Sequence, residues 1–399
     1  MYMKYFLLFC ASVMTVDAEK RFHMKQVIIL SRHNVRTPLS KFLNIMTPKS
    51  WPVWKEKSGH LTAKGALLEG YMGEFFSEWL KKEDLLKNGC PTEDVFYAYA
   101  NLKQRTKASA KAFVNQAFPN CNIAVHHSNT TDPVFDPIIH NKTASFKNYV
   151  VKEMKAHLKT LKLNNSYDFL ENILDYKHSK LCEKSHQCNL KTDKNNIIVE
   201  PGTKPNLWGP IKIGNSVADA FVMQYYEGFP MNNIAWGYLD NQEQWIQMMQ
   251  LSSGYHDVIF NNSVVAMDIA KPLIKYIADL CLGQGEVPKV TLLMGHDANM
   301  FTLLKGMGFK RYSLIDQHEH IPVGSKIVFQ KWYDVVTRRN LLKINFIYQS
   351  KSQLRDGTPL SLNNPPQFEL LELANCEIDT NGFCLWSNFE YFLRTLISK

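Results

Sequence analysis

Val27-Ile28-Ile29-Leu30-Ser31-Arg32-His33-Asn34-Val35-Arg36-Thr37-Pro38 runs from an apolar stretch directly into a histidine flanked by arginines. A second stretch, Val290-Thr291-Leu292-Leu293-Met294-Gly295-His296-Asp297-Ala298-Asn299, has the same arrangement. Each apolar run has the length and content of a buried strand. Strand, reactive loop, then helix is how open α/β sheets place chemistry at the carboxyl ends of their strands. Two such loops on neighbouring strands would gather two histidines, two arginines and one aspartate. That set suits the removal of a phosphoryl group from an ester.

The flanking sequence extends this pattern. Thr62 is the predicted N-cap of an amphipathic helix whose Leu67, Leu68, Tyr71, Met72, Phe75, Phe76, Trp79 and Leu80 recur at helical spacing. Val95 to Ala100 reads as the next strand. It feeds Asn101-Leu102-Lys103-Gln104-Arg105-Thr106 and an alanine-rich helix through Phe113. From Thr143 to Leu251 the pattern is mostly helical, broken at Glu200-Pro201-Gly202-Thr203-Lys204-Pro205. Strands return near Val290, at Lys326–Gln330 and at Leu342–Tyr348. The expected fold class is α/β, a mostly parallel sheet flanked by helices. Residues 19–142 and 252–399 would form the α/β domain, with an inserted, mainly α-helical lobe at 143–251.

The 399 residues carry a net charge of +9, with the lysines scattered. This fits a basic surface and acidic small ligands better than nucleic acid, and no RNA-binding or zinc-finger signature is present. Lys4 followed by the apolar run Tyr5 to Val16, with Val16-Asp17-Ala18 before Glu19, reads as a signal peptide over residues 1–18. No other stretch has the length to span a bilayer, and the C-terminus has no anchor signal. The mature protein is therefore expected to be exported and free of the membrane. Seven cysteines remain after the leader. Cys182 with Cys188, Cys376 with Cys384, and Cys90 with Cys121 are candidate disulfides, although spacing alone does not fix connectivity. Cys281 is left over as a buried thiol. Asn129, Asn141, Asn164 and Asn261 are glycosylation acceptors.

Phosphoryl transfer needs cationic donors for the equatorial oxygens, an in-line nucleophile and an acid for the leaving oxygen. Arg32 and Arg36 flank His33, and guanidinium forks match phosphate geometry. Arg105 sits at a strand-to-helix turn, where a helix N-terminus also favours an anion. These cations should lower the pKa of His33 and leave a neutral imidazole able to attack. His296 can donate to a phosphoryl oxygen, and Asp297 can protonate the departing alcohol. No metal site is expected. His126 and His127 are adjacent in a strand and point to opposite faces. His318 and His320 share a face but lack a third ligand.

Arg32-His33-Asn34-Val35-Arg36-Thr37-Pro38 resembles the RHGxRxP signature of the histidine acid phosphatases. His296-Asp297 resembles their His-Asp pair, and Arg105-Thr106 their third phosphate-binding arginine. The signature glycine is Asn34 here, which is similar to the periplasmic glucose-1-phosphatase branch of bacteria. The likeness extends through Gly59-His60-Leu61-Thr62-Ala63-Lys64-Gly65, Gln224-Tyr225-Tyr226-Glu227-Gly228-Phe229-Pro230 and Pro322-Val323-Gly324-Ser325-Lys326. The resemblance implies a phosphoglycerate mutase-like sheet and a phosphohistidine on His33. Arg32, Arg36, Arg105 and His296 would hold phosphate, Asp297 would donate the proton, and no cofactor would be needed. It also implies that Glu200 faces the sugar. The expected partner is a small phosphate monoester, most of all glucose 1-phosphate, for a monomer or homodimer. Inositol phosphate hydrolysis, non-catalytic sugar-phosphate binding and a mutase activity are the alternatives.

Overall fold

The computed structural model describes residues 20–186, 188–283 and 287–398. The expected leader lies outside the described residues. The chain opens with β1 (Phe22–Arg32), α1 (Ala63–Lys82), β2 (Phe96–Ala100), α2 (Gln104–Ala117) and β3 (Val125–His126). Next come α3 (Ala144–Thr160), α4 (Asn164–Leu174), α5 (Lys180–Ser185), the pair β4 (Asn196–Ile198) and β5 (Asn206–Trp208), α6 (Pro210–Glu227) and α7 (Gln242–Phe260). Then follow α8 (Ser263–Leu282), β6 (Val290–Gly295), α9 (Asp297–Gly306), β7 (Lys326–Asp334) and β8 (Arg339–Tyr348). The chain closes with α10 (Lys351–Asp356), β9 (Gln367–Leu370), β10 (Cys384–Leu385) and α11 (Trp386–Ile397).

Eight strands form one sheet in the order β10-β8-β7-β1-β6-β2-β3, with β9 on β8. The sheet is mixed. β1, β6, β2 and β3 are mutually parallel, as expected, whereas β7, β8, β9 and β10 pair antiparallel. The physical reason lies in the connections. Residues 335–338 form a tight turn with Arg338 at φ 54°, which returns the chain beside itself. Parallel neighbours need long crossovers, and only the first half of the sheet has them.

Alternation along β1 assigns its side chains. Val27 and Ile29 pack with Phe75 and Phe76 of α1 and Phe113 of α2 on one face. Ile28 and Leu30 pack with Ile274 and Ile277 of α8, Leu303 of α9 and Phe389 of α11 on the other. Both faces are covered, so β1 reads as a continuous apolar run. A third cluster joins α4, α6 and α7 through residues such as Leu170, Phe221 and Met248, and continues to Val35 beside His33. The expected lobe boundary at residue 251 falls inside α7, which packs on α6, α4 and α3 along its length. We propose that the inserted lobe extends to Phe260.

Disulfides join Cys90 to Cys121, Cys182 to Cys188 and Cys376 to Cys384, and Cys281 is a buried free thiol. Among the described residues no helix is long and apolar enough to cross a membrane.

Close helix contact fixes the layer behind β1. A Cβ at Gly73 of α1 would lie 2.2 Å from the carbonyl oxygen of Phe113 in α2. Gly73→Ala should therefore force the two helices apart. The expected loss is about 1–3 kcal/mol of stability, read by chemical denaturation.

Candidate active site

Parallel pairing of β1 with β6 sets Arg32 opposite Gly295, so the two motifs leave adjacent strand ends side by side. The His33 and His296 rings meet edge-on with centroids 5.4 Å apart. β2 flanks β6 on its other edge. Asn101 continues from it, donating its backbone N–H to the Met294 carbonyl at 3.0 Å, and Arg105 follows in the first turn of α2. Three neighbouring strand ends thus deliver His33, His296 and Arg105 to one point.

The backbone of His33 is held from both sides. Its N–H donates to the Gly295 carbonyl at 3.1 Å, and its carbonyl accepts from Gly324 N–H at 3.1 Å. The ring Nδ1 lies 2.9 Å from the Asn34 carbonyl oxygen. A carbonyl only accepts, so Nδ1 carries the proton and Nε2 keeps the lone pair. Burial, and then Arg105, His296, Arg36 and Arg32, hold the pKa of His33 well below 6.5. The imidazole is neutral, as the sequence predicts for a nucleophile.

Arg32 and Arg36 are buried and oriented by carboxylates absent from the motifs. Arg36 is gripped by Asp219 of α6 at 2.7 and 3.0 Å. Arg32 donates to Glu319 at 2.8 Å and to the Ile321 carbonyl, with Asp297 at 3.4 Å. Arg105 lies 3.4 Å from Nδ1 of His296. The Nε groups of Arg32, Arg36 and Arg105 are buried without a hydrogen-bond partner among the described residues. Unpaired buried cationic donors are costly, and an anion with several oxygens answers all three.

His296 Nε2 lies 3.0 Å from Oδ1 of Asn101, whose amide nitrogen donates to Asp132 at 3.1 Å. The Asp132 contact orients the Asn101 amide, so His296 Nε2 carries the proton and Nδ1 faces Arg105. Burial and then Arg105 lower the pKa of His296 well below 6.5. Burial alone would raise the pKa of Asp297, but Arg32, His256, Lys204 and His33 outweigh it and hold the carboxyl well below the usual range. A bound phosphate dianion would oppose that field and restore affinity for protons to both groups.

The six motif residues therefore converge. Glu200 does not join them. It is exposed, pairs with Lys147 at 2.7 Å and lies outside the residues that line the cavity with Arg32, Arg36 and Asp297. Four positions on, Lys204 does line it. His126 pairs with Glu93 at 2.9 Å, and His318 stacks on Trp245 at 4.3 Å. Among the described residues, no group of histidine, cysteine and acidic side chains has metal-binding geometry.

Sequence reading missed Asp219, Glu319, Asn101 and His256. Only Glu319 had a visible signal, standing between His318 and His320. His256 donates its Nδ1 proton to the Ser252 carbonyl at 2.9 Å, stacks on Phe301 at 4.9 Å, and lines the cavity with Asp297. Burial pushes its pKa down to about 4.

Beneath the loop that carries His33 lies a wholly buried ion pair. Lys326 donates to Glu69 at 2.7 Å, to Ser31 at 2.8 Å and to the Gly324 carbonyl at 3.1 Å. Glu69 also accepts from the Asn34 amide at 2.9 Å. Asn34 thus takes the place of the signature glycine by filling a hydrogen-bonded socket. A Cβ at Gly324, whose φ is 69°, would lie 2.4 Å from that amide.

Two outcomes follow from this geometry. Lys326→Met strands the Glu69 carboxylate, and a loss of about 3–5 kcal/mol in denaturant unfolding is expected. The second concerns acid. His256, His33 and His296 are neutral when folded but protonate near pH 6.5 when unfolded. Their contribution is fully present above pH 6.5 and is lost as pH falls toward about 4, the value for His256. The melting temperature of phosphate-free protein should fall across that window, and His256→Phe should flatten the fall.

Comparison with known proteins agrees with this geometry. Residues 23–349 match the Histidine phosphatase superfamily (branch 2). Glucose-1-phosphatase of Salmonella typhimurium is 41% identical over 98% of this chain and 96% of that protein. Glucose-1-phosphatase of Providencia rettgeri is 41% identical over 94% of this chain and 92% of its own length. Phytase AppA of Escherichia coli is 27% identical over 94% and 92%. Among solved structures, the Hafnia alvei phytase superposes with a TM-score of 0.86 at 27% identity, covering 95% of this chain and 98% of that one. On its sequence and its fold, the chain belongs to branch 2 of the histidine phosphatase superfamily.

Proposed function

We propose that this chain is a phosphoric monoester hydrolase acting on glucose 1-phosphate through a phosphohistidine at His33. The observation that carries the reading is a neutral imidazole with a free Nε2, within the field of three arginines whose buried Nε donors have no partner among the described residues. The two relatives named glucose-1-phosphatase, each 41% identical, support the choice of substrate.

Arg32, Arg36 and Arg105 take the non-bridging phosphate oxygens, and His296 completes the cradle. His33 Nε2 attacks phosphorus in line, and the bond to the glucose oxygen breaks. Phosphate binding displaces Arg32's hold on Asp297, which enters this step protonated and gives its proton to that oxygen. In the second half, Asp297 as carboxylate takes a proton from water. The oxygen attacks the phosphohistidine, the N–P bond breaks, and inorganic phosphate leaves.

We further propose that the protein is exported. Three disulfides fit an oxidising compartment, and the acceptors Asn129, Asn164 and Asn261 are exposed.

The test is phosphate release from glucose 1-phosphate near pH 5 with chelator present. Native protein should turn over and His33→Ala should fall to background. Alkaline quenching should trap phosphate on native protein only. Asp297→Asn should lower kcat for glucose 1-phosphate by about 10²–10⁴-fold. With 4-nitrophenyl phosphate, whose leaving group needs no proton, the nitrophenolate burst that reports the first step should be far less affected than steady-state turnover, because hydrolysis of the phosphohistidine still needs Asp297. Binding of phosphate by folded protein without any release would refute the hydrolase reading.

A further inference from the structure

Arg32, Arg36 and Asp297 line a cavity of about 690 Å³ bounded mainly by the inserted lobe. A second, much smaller recess of about 20 Å³ shares its Arg32, Ser252, His256, Asp297 and Glu319 walls. It lies where α7, the start of α9 and the segment 319–321 meet, with His320 as a further wall. A volume of that size holds about one water molecule, and its walls offer the two to four polar partners such a water needs.

One guanidinium joins the two carboxyl groups of this recess. Arg32 donates through Nη1 to Glu319 Oε1 at 2.8 Å, and its Nη2 lies 3.4 Å from Asp297 Oδ2. Glu319 Oε2 is buried without a hydrogen-bond partner among the described residues. A buried carboxyl oxygen in that position is costly unless it carries a proton or meets a water. Two carboxyls on one cation also compete for a proton. Burial raises the pKa of Glu319, against the pull of Arg32 and with the help of Asp219 and Asp297. Asp297, despite its burial, is held low by Arg32, His256, Lys204 and His33. Tyr226 also faces Glu319, but it gives its hydroxyl proton to Gln317 at 2.8 Å. In the phosphate-free protein the proton therefore rests on Glu319. His256 commits its Nδ1 proton to the Ser252 carbonyl at 2.9 Å, so Nε2 is the acceptor of that ring.

We infer that Glu319 is the proton store for Asp297, and that one water in the recess, oriented by His256, carries the proton between them. The inference rests on the hydrolase reading and supplies the proton that its first step consumes. A phosphate arriving on Arg32 weakens the hold of that arginine on Asp297. The Glu319 Oε2–H bond then breaks as its proton passes to the water oxygen. The water O–H facing Asp297 breaks in the same event, and an O–H bond forms on Asp297. The second hydrogen of the water stays on His256 Nε2, which fixes the direction of transfer. Glu319 Oε1 accepts from Arg32 with or without the proton, so the arginine keeps its place. When inorganic phosphate leaves, the proton that Asp297 took from the hydrolytic water returns to Glu319 by the same route. Glu319 and His256 act through Asp297 and are positioning residues.

Rapid alkaline quenching at pH 5 measures phosphohistidine formation from glucose 1-phosphate in native protein, Glu319→Gln and His256→Phe. Glutamine keeps an oxygen for Arg32 but has no proton to give. Its rate should fall about tenfold at low acetate and recover as acetate is raised, whereas native protein should not respond to acetate. His256→Phe should lose less and recover in the same way. The nitrophenolate burst from 4-nitrophenyl phosphate should be unchanged in both variants. A native rate in Glu319→Gln overturns the proton store. So does an equal loss with both substrates that acetate does not repair, which would mean that Glu319 only holds Arg32. Binding of inorganic phosphate gives a readout without turnover. Calorimetry in buffers of different ionisation enthalpy should show Glu319→Gln taking up about one more proton per phosphate than native protein. Equal uptake overturns the proton store, and this holds even where native protein forms no phosphohistidine and the hydrolase reading itself fails. Should Glu319→Gln not fold, the acetate response of His256→Phe decides, and its absence overturns the relay.

Discussion

Everything at the centre of this protein answers to one electrostatic constraint: three arginines crowd a buried histidine and hold it neutral. Such a cluster repels itself and depresses the protonation of every nearby imidazole. Asp219 and Glu319 hold Arg36 and Arg32 without neutralising the site completely, because each leaves the Nε edge of its arginine unpaired. Removing those carboxylates would leave bare buried charge, and adding more would compete with the substrate. An anion with several oxygens would complete the arrangement, and that would link the cost of folding the site to the energy of binding.

That balance needs a rigid support. Parallel pairing of β1 and β6 fixes the two histidines, and the Lys326–Glu69–Asn34 network fixes the loop that carries His33. Lys326 belongs to β7, the first antiparallel strand of the sheet. The antiparallel half therefore has a role beyond closing the core: it brings a cation beneath the His33 loop from the opposite chain direction. Asn34 links this buried pair to the backbone that sets the tautomer of His33. The substitution of asparagine for the signature glycine is a structural exchange, in which a side chain occupies space that Gly324 leaves open.

The cavity belongs mainly to the inserted lobe, whereas the phosphate cradle belongs mainly to the strand ends. The cavity wall and the strand-end cluster are thus drawn from different parts of the chain. The break at Glu200 to Pro205 illustrates the separation. Its backbone turn sends Glu200 outward to Lys147 and leaves Lys204 on the cavity wall. A residue's role on such a loop depends on which side of the turn it occupies, and short sequence spacing does not determine that.

The six motif residues, the strand-to-helix transitions and the three cysteine pairings were legible in the sequence. Each rests on local order, in apolar runs, caps and short spacing, or on the resemblance those motifs carry. The antiparallel half of the sheet, the carboxylates that hold the arginines, and the side of the loop on which Glu200 lies were decided only by the tertiary structure. Asp219 meets Arg36 across 183 residues, Glu319 meets Arg32 across 287, and Lys326 meets Glu69 across 257. No periodicity encodes such pairs. The sequence by itself determined which groups meet at the strand ends, because reactive types at strand ends carry a local signature. Only the fold decided which charges hold them, because a buried ion pair is specified by the packing that brings distant elements into contact.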